Sequence, residues 1–184
     1  MAGESTPQTE LTVLGVEYPK AIYYRYAANF PARGDHQKDY RAFVQTYGRL
    51  MGIEASEAID PEDPGTPVFR GQLEAPVTVQ ELADRLSVAL DRTPLVIGEG
   101  DVTSLAWCTG AGQGYIDLAA DAGADVYVTG EVSEQTAHVA LERGIAFIGA
   151  GHHATERYGV QAVGSLAAEA LGLSHEFIDI DNPA

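Results

Sequence analysis

Residues 102–151, VTSLAWCTGAGQGYIDLAADAGADVYVTGEVSEQTAHVALERGIAFIGAG, decide how this chain of 184 residues folds. Three apolar runs of strand length, VTSLAWC (102–108), DVYVTG (125–130) and AFIGAG (146–151), alternate with two helical segments, YIDLAADAG (115–123) and SEQTAHVALERG (133–144). Helical crossovers join parallel neighbours, so the alternation predicts an α/β fold: a mostly parallel sheet flanked by helices. Upstream, VFRGQLEAPV (68–77) reads as extended, and Thr78 with Glu81 forms a capping box for the helix VQELADRLSVAL (79–90). PLVIG (94–98) reads as a short buried strand. Downstream, TERYGVQAVGSLAAEALG (155–172) places Val160, Val163, Leu166, Ala167 and Ala170 on one helical face, and HEFIDI (175–180) is a last strand-length run.

The first third is less regular. Residues 1–10 read as a tail and residues 11–30 have no clean period, whereas YRAFVQTYGRLMGI (40–53) spaces Phe43, Tyr47, Leu50 and Met51 as an amphipathic helix does. DPEDPGTP (60–67), with three prolines, three acids and a glycine, reads as a linker. This divides the chain into a residual or divergent N-terminal segment, 1–66, and a C-terminal α/β domain, 67–184.

Composition excludes several functions. With 27 Asp plus Glu against 11 Lys plus Arg, the net charge is -16, and such a surface repels phosphate backbones, so nucleic acid is not an expected partner. The same charge suits either cation binding or a halophile-like adaptation, and the scarcity of lysine, Lys20 and Lys38 alone, favours the latter. No run of about 18 apolar residues suggests a membrane span, and the polar opening MAGESTPQTE lacks the pattern of a secretory signal, so a cytoplasmic protein is expected. Cys108 has no partner for an internal disulfide and reads as a small buried apolar residue, because no base neighbours it in sequence.

Loops leaving the carboxyl ends of neighbouring parallel strands gather on one edge, where ligands bind. Here those loops are CTGAGQG (108–114), TGEVSEQT (129–136) and GAGHHATE (149–156). In the third, His152 and Glu156 are four residues apart, which places both side chains on one face of a helix's first turn. Imidazole plus carboxylate suits zinc, iron, manganese or nickel, although two donors hold an ion weakly and the same spacing also serves an exposed helix contact or a cap. His153 points elsewhere, as an outer or surface histidine, and His138 reads as a partly buried helix residue. Glu131 and Glu134 lie at a helix start, where a carboxylate is stabilised by the dipole and a capping role is expected for one of them. Gly110, Gly112 and Gly114 could cradle a phosphate, but Tyr115 stands where a dinucleotide fingerprint needs its third glycine, so close backbone packing is expected and a nicotinamide cofactor is not.

The stretch WCTGAGQGYIDLAADAGADVYVTGEVSEQTAHVALERGIAFIGAGHHATERYGV and the terminal FIDIDNPA resemble the NIF-three-like family of dinuclear-metal-centre proteins, many described as GTP cyclohydrolase 1 type 2 homologues, over about residues 67–184. The resemblance implies a toroidal homohexamer of two-lobed α/β subunits with two metal ions between the lobes, of which this region is the C-terminal lobe. It implies that His152 and Glu156, from the motif Gly-His-x-x-x-Glu, are metal ligands. The family's other ligands come from adjacent histidines and an aspartate of the N-terminal lobe. This chain has no His-His before residue 152, and FPARGDHQ (30–37) offers Asp35, beside His36, in a different register, so a truncated N-terminal lobe is expected.

Two functions follow. One is a metal-dependent hydrolase, GTP cyclohydrolase-like, acting on a nucleotide or other small polar substrate, with Glu131 supporting the ligands or moving a proton and the glycine loop forming a cleft wall. The alternative is a non-catalytic oligomeric scaffold or metal-handling protein.

Overall fold

The computed structural model describes residues 10–13, 16–19, 48, 51–53, 56–60, 62, 63, 66–180 and 182. The chain forms two compact units: residues 1–40 with 158–179, and residues 41–157 with 180–184. In the smaller unit β1 (Glu10–Val13) and β2 (Val16–Pro19) pair antiparallel, Val13 opposite Val16. That unit also takes the later part of helix α4 (His152–Leu171).

The larger unit is built on a six-stranded sheet. Its strands are β3 (Ser56–Ala58), β4 (Phe69–Thr78), β5 (Leu95–Ile97), β6 (Asp101–Trp107), β7 (Val126–Thr129) and β8 (Ala146–Gly149), in the order β3-β4-β6-β7-β8-β5. Among the described residues its helices include α1 (Val79–Leu90), α2 (Ile116–Asp121), α3 (Glu134–Arg143) and the first turns of α4. The fold is α/β as the alternation predicts, but parallel pairing is confined to β6–β7 and β7–β8; β3–β4, β4–β6 and β5–β8 are antiparallel. A parallel neighbour requires a helical crossover, which α2 and α3 supply between β6, β7 and β8, whereas α1 joins β4 to β5, which are not adjacent in the sheet.

Three further expectations change. The stretch 60–67 does not link two domains: β3 and β4 on either side of it are a hairpin, closed by Ile59 N–H donating to the Val68 carbonyl over 2.9 Å. Asp60 Oδ1 organises that connection by accepting from the amides of Glu62, 3.0 Å, and Asp63, 3.2 Å, the local bond that makes aspartate a turn residue. β5 is an edge strand, partly exposed, because the chain carries it past β8 to the rim of the sheet. Residues 175–180 enter no strand, and Ile178 and Ile180 stand 75% and 74% exposed. The helix expected over residues 40–53 lies outside the described residues except for helical Gly48 and Met51–Ile53, of which Met51 and Ile53 are buried.

The core explains why the central runs are continuously apolar. All residues of β7 and β8 are buried, the state expected of strands covered on both faces. Ala106, Tyr127 and Phe147 align across β6, β7 and β8, with the Tyr127 and Phe147 rings 6.1 Å apart. This row packs with Ile116 and Ala119 of α2 and Ala140 of α3. The next row, Trp107, Val128 and Ile148, has its side chains on the other face, where Trp107 lies 6.5 Å from Phe69 of β4. α1 begins at the predicted capping box: Thr78 Oγ1 accepts from Glu81 N–H over 3.1 Å, and Glu81 Oε2 accepts from Thr78 N–H over 2.7 Å. These amide and hydroxyl bonds from Thr78 hold the Glu81 carboxyl below its ordinary range. Among the described residues no helix is long and apolar enough to cross a membrane.

Candidate metal centre

β6, β7 and β8 are parallel neighbours, so the loops after Trp107, Thr129 and Gly149 leave one edge of the sheet together. Backbone bonds then stitch them: Gly130 N–H donates to the Gly110 carbonyl over 3.0 Å, and Gly151 N–H to the Gly130 carbonyl over 2.9 Å. Thr155 adds a side-chain tie, its hydroxyl accepting from Gly110 N–H over 3.0 Å and donating to the His152 carbonyl over 3.1 Å.

Beneath the rim lies a closed polar cluster. Thr129 Oγ1 accepts from Gly112 N–H over 3.2 Å and donates to the Gly110 carbonyl over 3.2 Å, while the Tyr127 hydroxyl donates to the Gly112 carbonyl over 2.7 Å. Both hydroxyl protons are thereby committed. The Cys108 thiol, 3.2 Å from Tyr127 Oη and 3.3 Å from Thr129 Oγ1, must then be the donor and hold its proton. Burial pushes both the Cys108 thiol and the Tyr127 hydroxyl above their ordinary ranges. Cys108 is therefore an inert packing group, as the sequence suggests. The amides of Gly110 and Gly112 are spent on Thr155 and Thr129, so the phosphate reading of this loop loses those two donors. Close packing is instead what the glycines serve: a Cβ on Gly112 would overlap Cys108 Sγ.

Above this floor, the first turn of α4 presents His152 and Glu156 as expected. His152 Nε2 lies 3.0 Å from Glu156 Oε2, and Nδ1 lies 2.6 Å from Glu131 Oε1. The three side chains are 37–40% exposed, so the cluster is open to solvent. The Glu131 bond foremost, with Glu156 adding to it, raises the imidazole pKa above its ordinary value against the smaller opposing effect of burial. Gly110, at φ +63, forms a wall of the site: a Cβ there would overlap the Glu156 carboxylate and stand 3.3 Å from His152 Nε2.

Glu131 does not cap α3. Ser133 does, in a reciprocal pair with Thr136, while Glu134 is exposed in the first turn. Glu131 reaches back to His152 across 21 residues, a contact that the local reading missed and that the meeting of loops from adjacent parallel strands could have signalled. Gln113, also missed, donates its Nε2 to Glu131 Oε2 over 3.3 Å. His153 follows His152 along α4 and is partly buried, turned away by about 100° as successive helix residues are. His138 is exposed, not partly buried, and lies 4.0 Å from Glu134. Asp35 and His36 lie outside the described residues.

The donor chemistry fits a borderline divalent ion. Imidazole nitrogen and carboxylate oxygen 3.0 Å apart match two adjacent ligands, each with a bond of about 2.0–2.2 Å. Glu131 sits at the opposite nitrogen of the ring, and among the described residues no group of three His, Cys, Asp or Glu side chains shares one cation position. A separate cavity of about 600 Å³, lined by Arg70, Gln72 and Ser104 among others, holds none of these groups.

Comparison with known proteins agrees with the resemblance. The family model Duf34/NIF3 (NGG1p interacting factor 3) matches residues 38–183. A Pseudomonas aeruginosa protein described as a GTP cyclohydrolase 1 type 2 homolog is 49% identical over 137 residues, which are 74% of this chain and 54% of the relative. A Haemophilus influenzae protein of the same description is 46% identical over 139 residues, 74% and 55% of the two chains. The chain thus spans about half the length of the curated relatives it matches. Among solved structures, protein ybgI, described as of unknown function, superposes with a TM-score of 0.66 at 44% identity, over 75% of this chain and 55% of that one. TTHA1606 from Thermus thermophilus gives a TM-score of 0.61 at 26% identity, over 84% and 70%. With a family model covering most of the chain, these relatives and a shared fold, the chain belongs to the Duf34/NIF3 family.

Proposed function

We propose that this protein binds a divalent metal ion, zinc, iron, manganese or nickel, through His152 Nε2 and the Glu156 carboxylate, and that the site serves a hydrolase acting on a nucleotide or other small polar substrate. The observation that carries this reading is the single imidazole held by carboxylates at both nitrogens on the carboxyl edge of a parallel sheet. Glu131 accepts a hydrogen bond from His152 Nδ1–H, which fixes the ring and leaves the Nε2 lone pair beside Glu156 for the ion, the arrangement in which an outer carboxylate orients a ligand histidine. A bound ion would supply a coordinated water acidic enough to act as nucleophile near neutral pH. Gly110 leaves the space that the Glu156 carboxylate fills, and the loop it belongs to walls the cleft. The printed description of the relatives, GTP cyclohydrolase 1 type 2 homolog, names the reaction to try first. Metal content per chain, measured on the wild type and on His152→Ala, tests the site: the variant should lose its metal, and an unchanged stoichiometry would remove the assignment.

A second reading, an oligomeric scaffold or metal-handling protein without turnover, is favoured by the donor count: among the described residues no three His, Cys, Asp or Glu side chains share one cation position. It expects a hexamer by light scattering and no turnover of GTP, and a monomer at micromolar concentration counts against it.

A further inference from the structure

We infer that Gln113 is a positioning residue for this centre, holding Glu131 in the orientation that fixes the His152 ring; the inference rests on the metal-site reading and deepens it. Glu131 stands in the connection between β7 and α3, so no helix or strand aims its side chain. Its two oxygens are gripped from different sides, Oε1 by His152 Nδ1 at 2.6 Å and Oε2 by Gln113 Nε2 at 3.3 Å. A carboxylate held at one oxygen can swing about that bond. Held at both, it keeps one plane, and the imidazole bonded to it keeps one tilt.

The other end of the same amide makes the case. Gln113 Oε1 is buried and, among the described residues, has no hydrogen-bond partner. A buried acceptor without a donor weakens a fold, and an apolar side chain of similar shape would remove that penalty. Its amide serves Glu131 instead. The orientation of the amide follows from chemistry too, because reversing it would set an acceptor oxygen against Glu131 Oε2. The backbone leading into Gln113 is pinned from below: the Gly112 carbonyl takes the Tyr127 hydroxyl proton and Gly112 N–H is held by Thr129. The short 3-10 turn Gln113–Tyr115 therefore starts from a fixed point, and the closed floor is transmitted through one side chain to the open site.

The full chain and its Gln113→Met variant, which keeps the shape and removes the donor, test this by two measurements. The first is the proton spectrum of the metal-free protein. The His152 Nδ1–H, held against a carboxylate, should give a resolved downfield resonance, assigned by its loss in His152→Ala, and Gln113→Met should broaden or abolish it. The second is zinc affinity by chelator competition, which should fall about ten- to a hundredfold in Gln113→Met, the range for lost support of a metal ligand. Gln113→Asn, one methylene too short to reach Glu131, should behave alike, and it carries the test should the methionine variant not fold. A resonance absent from the wild type, a resonance retained in the variants, or an unchanged zinc affinity overturns the inference. A wild type that binds no zinc overturns the metal reading, and the spectrum still decides whether Gln113 holds Glu131.

Discussion

Two polar clusters meet at the carboxyl ends of β6, β7 and β8, and they are built in opposite ways. In the lower one, Cys108, Tyr127 and Thr129 are buried and every hydroxyl proton goes to a loop carbonyl. In the upper one, Glu131, His152 and Glu156 are more than a third exposed and their acceptor oxygens outnumber the protons between them. A buried polar network is stable only when each member is satisfied, so the lower cluster has become scaffold. The upper one keeps unspent lone pairs in reach of solvent, which is what coordination requires. Titratable side chains alone do not mark a site; what separates the clusters is whether the donors and acceptors balance.

Substitutions in the lower cluster should weaken the fold, and substitutions in the upper one should weaken metal binding and leave the fold nearly intact. The largest effect is expected of Gly112→Val, whose added carbons collide with Cys108 Sγ and Thr129 Oγ1: urea unfolding should show a loss of about 3 kcal/mol. Tyr127→Phe keeps the ring and leaves the Gly112 carbonyl with the Tyr115 N–H, 3.0 Å away, as its donor, for a loss of about 1 kcal/mol by the same measurement. A variant as stable as the wild type would mean that the lower cluster is not closed. Gly110→Ala bridges the clusters. Its left-handed backbone should cost about 1 kcal/mol, and its methyl should displace the Glu156 carboxylate and lower zinc affinity, read by chelator competition.

The smallest effect is a pH dependence. In the metal-free protein the folded-state pKa of His152 is raised above its unfolded value, so its contribution to stability is complete below about pH 6.5 and fades as pH climbs through the raised value. Urea midpoints should therefore drift down over that range in the wild type and less in His152→Ala, and solvent screening of this partly exposed ring keeps the drift small. Equal drifts in both proteins would show that the carboxylates do not hold the ring in solution.

Much of the fold was legible because its signals are local. The Thr78–Glu81 capping box, the apolar runs of β6, β7 and β8 and the four-residue step from His152 to Glu156 each lie within one or two turns of chain. Less legible were features set by partners far along the chain. The stretch 60–67 carries every mark of a linker, and only the pairing of Ser56 with Gly71 shows that it closes a hairpin. PLVIG is apolar enough for a core strand, yet its position beyond β8 exposes it. Glu131 has the address of a helix cap, and Ser133 holds that post.

Sequence by itself determined the family resemblance, the alternation of strands and helices around residues 102–151, and the pairing of His152 with Glu156 on one helical face, because periodicity and short spacing are written in consecutive residues. Tertiary structure alone decided the direction of the outer strands, the closed bonding of Cys108, Tyr127 and Thr129, and the line from Gln113 through Glu131 to His152. The side-chain contacts among these join residues 15 to 21 positions apart, and they exist because parallel strands bring their carboxyl-end loops to one edge.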